Sequence, residues 1–330
     1  MVASEQFLQV VTDQIKLVRD EIGKVIVGHD DVVEGVIIAL VSGGHVLLEG
    51  VPGLGKTTLL RTLGDAMHLD YSRIQFTPDL MPADIIGSMI LESDSLGSKE
   101  LRFQRGPIFA HLVLADEINR ATPRTQSALL EAMQERTVTT GTTTYRLEDP
   151  FLVMATQNPL EMEGTYPLPE AQLDRFLLKL IVGYPTKAEL EQIVDRTMAA
   201  ATPSVHQVIN QEQVLDARRA AHEVLVAPHV RDFAIRLILA TQPEQEEAHA
   251  LAKKYIRYGS SPRGAQALMQ AGRVRALMRG RLNVSIGDVR ELALPALRHR
   301  IILNFDAHAE GKTADQVVAQ ILASLPEGSA

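Results

Sequence analysis

Residues 45–57 read HVLLEGVPGLGKT, and within this stretch residues 50–57 match the pattern G-x-x-x-x-G-K-[ST]. An apolar run typical of a buried strand precedes the pattern, and residues 56–67 have the spacing of a helix, which is the context that the pattern requires. Its glycines allow backbone N–H groups to turn inward around phosphate oxygens, and the positive end of the following helix adds to the attraction. The stretch therefore predicts a phosphate-binding loop between a strand and a helix.

Two side chains of this loop have predicted roles of their own. Lys56 is expected to reach the β- and γ-phosphates of a nucleotide, and Thr57 to bind Mg²⁺ through its hydroxyl. The alternative is a glycine-rich turn before an ordinary helix, but a chance match in a chain of this length is roughly a one-in-a-hundred event. We therefore predict ATP and Mg²⁺ as cofactors. The other residues assigned to ATP in this loop are Gly50, Val51, Pro52, Gly53, Leu54, Gly55 and Thr58.

Two acidic residues follow a second apolar run. Residues 111–117 read HLVLADE, so that a predicted strand ends at Asp116 and Glu117. In P-loop proteins a carboxylate at this strand end helps to hold the Mg²⁺ that bridges the phosphates, and a neighbouring polar group can orient the attacking water. We assign the metal to Asp116 and the role of catalytic base to Glu117, which favours hydrolysis over binding alone. Helix capping by both acids is the alternative interpretation.

Predicted strands and helices alternate as far as residue 182. This alternation is typical of an α/β fold, here a doubly wound parallel sheet with helices on both faces. Two stretches interrupt it, at about residues 79–105 and 136–149, and the second has the pattern of a hairpin around Gly141. A strand at 151–156 leads to Asn158, whose amide is placed to contact the γ-phosphate or to orient water, although Asn-Pro alone is a turn signal.

The chain changes character after Tyr184 and Pro185. Residues 186–330 are rich in Ala, Leu and Arg, have helical periodicity and contain no clear strand pattern. We therefore predict two domains, an α/β nucleotide-binding core at 1–185 and a helical domain at 186–330. Two basic stretches of the second domain, around residues 273–281 and 298–300, are interpreted as solvated helix faces rather than nucleic-acid contacts.

Composition and charge exclude several classes of protein. The chain has 330 residues, 45% of them hydrophobic, with 41 Asp and Glu against 33 Lys and Arg and no cysteine. The net charge of −8 argues against a surface built for nucleic acid, and the lack of thiols excludes disulfides and a cysteine nucleophile. The ten histidines lack ligand spacing, which argues against a metal other than Mg²⁺. Neither a secretory signal nor a run of about 18 apolar residues is visible, so we expect a cytoplasmic protein without membrane insertion.

Seven stretches, spread over nearly the whole chain, resemble the MoxR family of AAA+ ATPases. They surround the predicted phosphate and metal site and extend into the helical domain. The stretches are FTPDL at 76–80, GPIF at 106–109, LADEINRA at 114–121, PRTQSALLEAMQE at 123–135, ATQNP at 155–159, LPEAQLDRF at 168–176 and YGSSPR at 258–263.

The resemblance implies roles that spacing alone does not assign. Asn158 corresponds to the first sensor, Arg175 to the arginine finger given to the ATP of a neighbouring subunit, and Arg263 to the second sensor on the helical lid. Gly28 and its neighbours correspond to the segment beside the adenine. Arg263 follows a helix-start signal, which suits an arm reaching back to phosphate. The alternatives are local ion pairs for both arginines. The two interrupting stretches correspond to the helix-2 insert and the hairpin before the first sensor, which face the pore or its rim in this clade.

The resemblance also implies a function. It predicts an ATP hydrolase that assembles into a homo-oligomeric, hexameric ring and remodels or activates a partner protein, in some cases one with a von Willebrand factor A domain. Two alternatives remain at this point. One is the motor subunit of a complex resembling a metal chelatase, and the other is a DNA-translocating motor, against which the acidic charge argues.

Overall fold

The computed structural model describes residues 5–51, 53–93, 99–159, 164–198 and 203–327. Its strands are β1 (Val46–Glu49), β2 (Tyr71–Gln75), β3 (Gly87–Ser93), β4 (Lys99–Arg105), β5 (Leu112–Asp116), β6 (Thr137–Thr140), β7 (Thr143–Arg146), β8 (Leu152–Gln157), β9 (Leu178–Ile181), β10 (Ile256–Tyr258) and β11 (Ile302–Leu303). Five of them form one sheet in the order β2-β5-β8-β1-β9, and every pair in it is parallel.

Helices account for most of the remaining chain, and they flank the sheet on both faces, which confirms the predicted α/β fold. A 3₁₀ turn at Ile118–Arg120 follows β5. The helices are α1 (Glu5–Gly23), α2 (Asp30–Ser42), α3 (Lys56–Met67), α4 (Pro82–Ile86), α5 (Pro123–Glu135), α6 (Glu170–Leu173), α7 (Lys187–Met198), α8 (Gln211–Glu223), α9 (Pro228–Ala240), α10 (Ala250–Tyr255), α11 (Pro262–Met278), α12 (Ile286–Leu297), α13 (Phe305–Ala309) and α14 (Ala314–Ser324).

The direction of the strands decides where polar side chains can meet. Because the sheet is parallel, the carboxyl ends of all five strands lie at one edge and the amino ends at the opposite edge. The segment after β1, the end of β5 and the end of β8 therefore share the carboxyl edge, in agreement with the usual position of ligand sites in open α/β sheets. Segments that lead into β1, β8 and β9 lie at the amino edge instead.

Two apolar cores cover the two faces of the sheet. Side chains of β1 alternate between them, since Val46 and Leu48 belong to one cluster of buried residues and Leu47 to the other. The first cluster contains α1, α2, α3 and the buried faces of α8, α9, α11, α12 and α14. The second lies under α4 and α5 and includes Phe151 and Phe176. The central strands β1, β5 and β8 are apolar on both faces because both faces are covered.

The two interrupting stretches form antiparallel hairpins. β3 pairs with β4 and β6 with β7, so the hairpin predicted around Gly141 is confirmed, and Gly141 has the positive φ of 62° that its turn requires. The rings of Phe103 in β4 and Tyr145 in β7 stack with centroids 4.3 Å apart. The two hairpins therefore contact each other through aromatic side chains.

The helical second half differs from its prediction in two respects. β10 and β11 form a short antiparallel pair, although the sequence there shows no strand pattern, because a three-residue strand and a two-residue strand are too short for periodicity to reveal. In addition, α8 packs on α1 and α2, α11 on α2, and α12 on β9, so these helices extend the core of the α/β half. The domain boundary at residue 185 stays a prediction. No helix in the described ranges has the length and apolar character of a membrane span.

The basic stretch at 298–300 is also not a solvated face. The exposed fractions of His299 and Arg300 are only 7% and 8%, because main-chain carbonyls and a carboxylate of the segment just before β9 surround them. The interpretation made from sequence is wrong for these two residues.

Candidate functional site

The predicted phosphate loop lies between β1 and α3 at the carboxyl edge of the sheet. Gly53 and Gly55 have φ values of 83° and 77°, in the left-handed region that favours glycine. Among the described atoms none lies within 4 Å of where a Cβ of either residue would stand, so this side of the loop is open. Gly55 caps α3, whose first N–H groups are therefore available to an anion. Pro52 lies outside the described residues.

Lys56 begins α3 and folds over this loop. Its Nζ donates a hydrogen bond of 2.6 Å to the carbonyl of Gly50. Burial lowers the pKa of Lys56, whereas the negative charges of Asp116 and Glu117 raise it. The ammonium therefore lies against the loop, where it can reach the phosphates of a nucleotide held there. Thr57 is exposed, so its hydroxyl is accessible from the same side.

The end of β5 holds the acidic pair in a network of hydrogen bonds. Asp116 accepts through Oδ1 from the Thr156 hydroxyl at 2.7 Å, and through Oδ2 from Nη2 of Arg73 at 2.7 Å. The same Thr156 oxygen accepts the backbone N–H of Glu117 at 2.8 Å. One hydroxyl on β8 therefore orients the carboxylate of Asp116 and the backbone of Glu117 together.

Glu117 has an unusual backbone for a residue with a side chain, with φ 57° and ψ 49°. Such left-handed residues cost energy and are concentrated at functional sites. Its Oε2 accepts from Gln75 Nε2 at 2.7 Å and from Arg120 Nη1 at 2.9 Å. The carboxylate is therefore held at the carboxyl edge between two donors.

Arg73 and Gln75 are site residues that sequence reasoning missed. Both lie on β2, which pairs with β5 in a register that places Gln75 opposite Asp116. The two side chains are also joined to each other, since Arg73 Nη2 donates to Gln75 Oε1 at 2.7 Å. Only the strand order could have indicated them, because nothing in their local sequence marks them as partners of the acidic pair.

The donor set at this edge fits Mg²⁺. The Thr57 hydroxyl and the Asp116 carboxylate supply hard oxygen ligands, and Mg²⁺ is usually held by one or two carboxylates together with substrate phosphates. In the described part of the chain, no group of three or more His, Asp or Glu side chains is arranged to bind a metal without a nucleotide.

Asn158 is buried just after β8, and the loop is joined to that strand by a hydrogen bond of 3.2 Å from Gly50 N to Gln157 O.

A cleft beside the loop contains the predicted adenine segment. Gly28 has a φ of 69°, and a Cβ there would collide with the Glu189 side chain of α7. Helix α7, which the sequence assigns to the helical domain, thus lies against the nucleotide loop. Described residues that line the cleft include Val25, Ile26, Val27, His29, Gly53, Leu54, Gly55, Thr58, Tyr184, Leu190 and Ile193. Its mixed apolar wall is suited to a purine base.

Arg175 and Arg263 lie elsewhere, together in a second cleft. Arg175 precedes β9, and its Nη1 donates at 2.7 Å to the carbonyl of Leu130 on α5. Arg263 lies in the first turn of α11, as predicted, capped by Ser261. Residues 43–45, which lead into β1, line the same cleft. Both arginines are therefore at the amino edge of the sheet.

The structure does not bring Arg263 to the phosphate loop of its own chain, so its role as an arm that contacts phosphate stays a prediction. The four residues of β1, at about 3.3 Å each, separate the two edges. The reason is the packing of α11 on α2, which places the start of α11 next to the segment before β9. Instead, Arg263 Nη1 lies 3.6 Å from Asp174 Oδ2.

Thr156→Val is expected to lower the free energy of unfolding by about 1–3 kcal/mol, because the buried N–H of Glu117 loses its acceptor. It should also raise the Mg²⁺ concentration for half-maximal ATP binding by roughly tenfold, as the loss of an orienting partner of a metal ligand does. Thr241→Val is the matched control, because the buried Thr241 hydroxyl likewise accepts a backbone N–H and donates to a carbonyl. Thermal unfolding measures the stability of both variants, and Mg²⁺ titrations measure the concentration that each needs for half-maximal ATP binding. An equal Mg²⁺ requirement in both variants would contradict the role of Thr156.

Comparisons with known proteins agree with the fold. The profile of the "ATPase family associated with various cellular activities (AAA)" matches residues 45–178, and that of the "AAA lid domain" matches residues 248–321. Chaperone MoxR1 of Mycobacterium tuberculosis is 43% identical over 94% of this chain and 82% of its own length. Protein MoxR of Paracoccus denitrificans is 33% identical over 85% and 86%. The crystal structure of a candidate ATPase from Cytophaga hutchinsonii, 42% identical, superimposes with a TM-score of 0.91 over 98% of this chain and 97% of that one.

Proposed function

This chain belongs to the MoxR family of AAA+ ATPases, and from that premise we propose that it hydrolyses ATP at the interfaces of a ring of identical subunits and uses the energy to remodel a partner protein. One observation carries the proposal. The phosphate loop and the acidic pair lie at the carboxyl edge of the sheet, whereas Arg175 and Arg263 lie at the amino edge. A site with both halves requires two chains.

The nucleotide half binds and orients ATP. Backbone N–H groups of the loop and the start of α3 hold the phosphates, and Lys56 leaves the Gly50 carbonyl to bind the β- and γ-phosphates. The cleft beside Gly28 takes the adenine. Thr57 and Asp116 would hold Mg²⁺, which supplies charge neutralisation across the phosphates.

Glu117 acts on the attacking water. Its carboxylate orients the water and accepts a proton from it, while Asn158 at the end of β8 contacts the γ-phosphate. Gln75 and Arg120 set the rotamer of Glu117, since both bind the same oxygen, Oε2. Among the described residues these two donors leave the other carboxylate oxygen available to the water.

The arginine half stabilises the charge that develops during phosphoryl transfer. Arg175 of one subunit leaves the Leu130 carbonyl and binds the γ-phosphate on its neighbour, and Arg263, half-exposed in the same cleft, accompanies it. Because the contact joins the amino edge of one chain to the carboxyl edge of the next, the interface is heterologous, and such an interface closes into a ring when the rotation between neighbours permits it. We propose a hexamer.

The partner is a protein, in line with the name of the relative called Chaperone MoxR1, and a von Willebrand factor A domain is our candidate for it. The hairpin β3–β4 offers a contact surface, because Leu91 and Leu101 are 58% and 68% exposed on neighbouring strands. Its packing on β6–β7 through Phe103 and Tyr145 connects that surface with α5, which leads into β6. We place the ring in the cytoplasm.

Affinity purification of Glu117→Gln from its own cells tests this function. With ATP and Mg²⁺ the variant is expected to retain a partner protein that wild-type protein releases during turnover. Lys56→Ala is the matched control, because it should bind ATP too weakly to form the retaining state. If the same proteins are recovered with both variants, or with and without ATP, the ATP-driven remodelling role is wrong.

A further inference from the structure

Three consecutive residues after α12 bind the segment that carries Arg175. Arg298 donates through Nη1 to the carbonyl of Lys179 at 3.2 Å, and His299 Nε2 lies 3.0 Å from the carbonyl of Phe176. Arg300 makes the largest number of these contacts. These residues therefore bind the helical part of the chain to the main chain just before and within β9.

Arg300 binds residues that precede and follow Arg175 in the sequence. Its guanidinium uses the planar set of five donors that no other side chain has. The acceptors are Asp174 Oδ1 at 2.8 Å, Asp174 O at 3.3 Å, Phe176 O at 2.7 Å, Leu177 O at 3.1 Å and the carbonyl of Ala296. Residues 174, 176 and 177 are thus fixed by one side chain, and Arg175 lies between them.

Asp174 extends this contact to Arg263. Its Oδ1 accepts from Arg300, while its Oδ2 accepts from the Ser261 hydroxyl at 2.9 Å and lies 3.6 Å from Arg263 Nη1. Asp174 is therefore bound between a buried arginine and the half-exposed Arg263. Burial lowers the pKa of Arg300, although the adjacent Asp174 carboxylate opposes that shift, and an arginine guanidinium stays charged in proteins.

We propose that Arg300, acting through Asp174, is a positioning residue for ATP hydrolysis on the neighbouring subunit. It fixes residues 174–177 to α12 and Arg263 to Asp174, so that Arg175 and Arg263 form one contact unit that moves with the helical part of the chain. The inference rests on the proposed role of Arg175 in trans. Arg300 does not touch the nucleotide, because its acceptors satisfy it within its own chain.

Arg300→Lys tests the proposal, since lysine keeps the charge but cannot reach acceptors on several sides from a single nitrogen. We expect kcat for ATP hydrolysis to fall about 10- to 100-fold, as a displacement of about 1 Å can cause. The KM and Kd for ATP should change much less than kcat, because Arg300 acts only through residues that meet the charge developing in the transition state, whereas the phosphate loop holds the ground state. Arg290→Lys is the matched control, because Arg290 on α12 also binds carbonyls, those of Leu322 and Leu325, away from the segment of Arg175.

Subunit mixing separates positioning from a general structural role. Lys56→Ala subunits bring an intact Arg175 and Arg263 but bind no ATP, so an equimolar mixture with Arg300→Lys should recover kcat per ATP-binding subunit several-fold. Arg175→Ala mixed with Lys56→Ala is the reference. If the reference is rescued and Arg300→Lys is not, the proposal fails while the trans role of Arg175 stands. If the reference itself is not rescued, the trans role fails.

Two other results would overturn the proposal. One is an equal kcat for Arg300→Lys and Arg290→Lys. The other is a loss of Arg300→Lys activity that higher protein concentration fully restores. Such a result, with sedimentation showing fewer assembled subunits at low concentration, would mean a defect of assembly and not of positioning. If Arg300→Lys does not fold, Asp174→Asn takes its place in the mixing experiment, since it weakens the acceptor that Arg300 and Arg263 share and leaves the Ser261 cap of α11 in place. It should show a smaller loss of kcat that Lys56→Ala subunits still rescue.

Discussion

Arg175→Ala is expected to lower kcat for ATP hydrolysis by a factor of about 10³ to 10⁵, as the removal of an arginine finger does in other phosphoryl-transfer enzymes. That factor corresponds to about 4–7 kcal/mol of transition-state stabilisation. The Kd for ATP should change much less than kcat, because Arg175 acts on the charge that develops during phosphoryl transfer, whereas the phosphate loop and the adenine cleft hold the ground state. Steady-state hydrolysis and equilibrium nucleotide binding measure the two quantities.

The control for Arg175→Ala is Arg219→Ala, which removes an exposed arginine that pairs with Asp216 of the same helix, α8, and should leave kcat unchanged. Mixing Arg175→Ala with Lys56→Ala subunits should restore hydrolysis, because each variant supplies the half that the other lacks. Normal turnover in pure Arg175→Ala protein would contradict the assignment, as would a mixture that remains inactive although both variants assemble.

Glu117→Gln is expected to lower kcat by about 10² to 10⁴, the usual contribution of a general base, and to retain ATP. Glutamine has nearly the same shape, and its carbonyl oxygen can still accept from Gln75 and Arg120 as Oε2 of Glu117 does. The site should therefore keep its geometry and lose only the proton acceptor. ATP that remains unhydrolysed on the protein after gel filtration, measured against ADP, reports this directly.

Glu148→Gln is the control for this second variant, because Glu148 is exposed and lies outside the acidic pair. It should hydrolyse ATP at the wild-type rate. A Glu117→Gln protein that turns over ATP normally would exclude Glu117 as the base and would leave Asp116 or a water-mediated route to be tested instead.

The parts of the site that the sequence predicts are those whose chemistry is local. Gly53, Gly55 and Lys56 are fixed by the turn from β1 into α3, and Asp116 and Glu117 by the end of a single apolar strand. Each of these positions follows from neighbours in sequence, and the structure places all of them at the carboxyl edge. The parallel sheet followed from the alternation of strands and helices.

The remaining features depend on contacts between distant segments. Arg73 and Gln75 meet the acidic pair only because β2 lies next to β5, and Arg263 reaches the amino edge only because α11 packs on α2. Arg300 looks solvated as one of three basic residues in a row, yet the carbonyls of residues 174, 176 and 177 replace its water. Such satisfaction of a buried charge is visible only once the chain is folded.

The separation of the two arginines from the phosphate loop of the same chain also has a genetic meaning. On the proposed arrangement, a copy damaged at Arg175 silences the catalytic site that belongs to the copy beside it, while its own loop still receives an intact arginine. A cell that expresses both an intact and a damaged allele would then build mixed rings with dead sites scattered among intact ones. Dominance of such alleles would be a direct result of which edge of the sheet carries each residue.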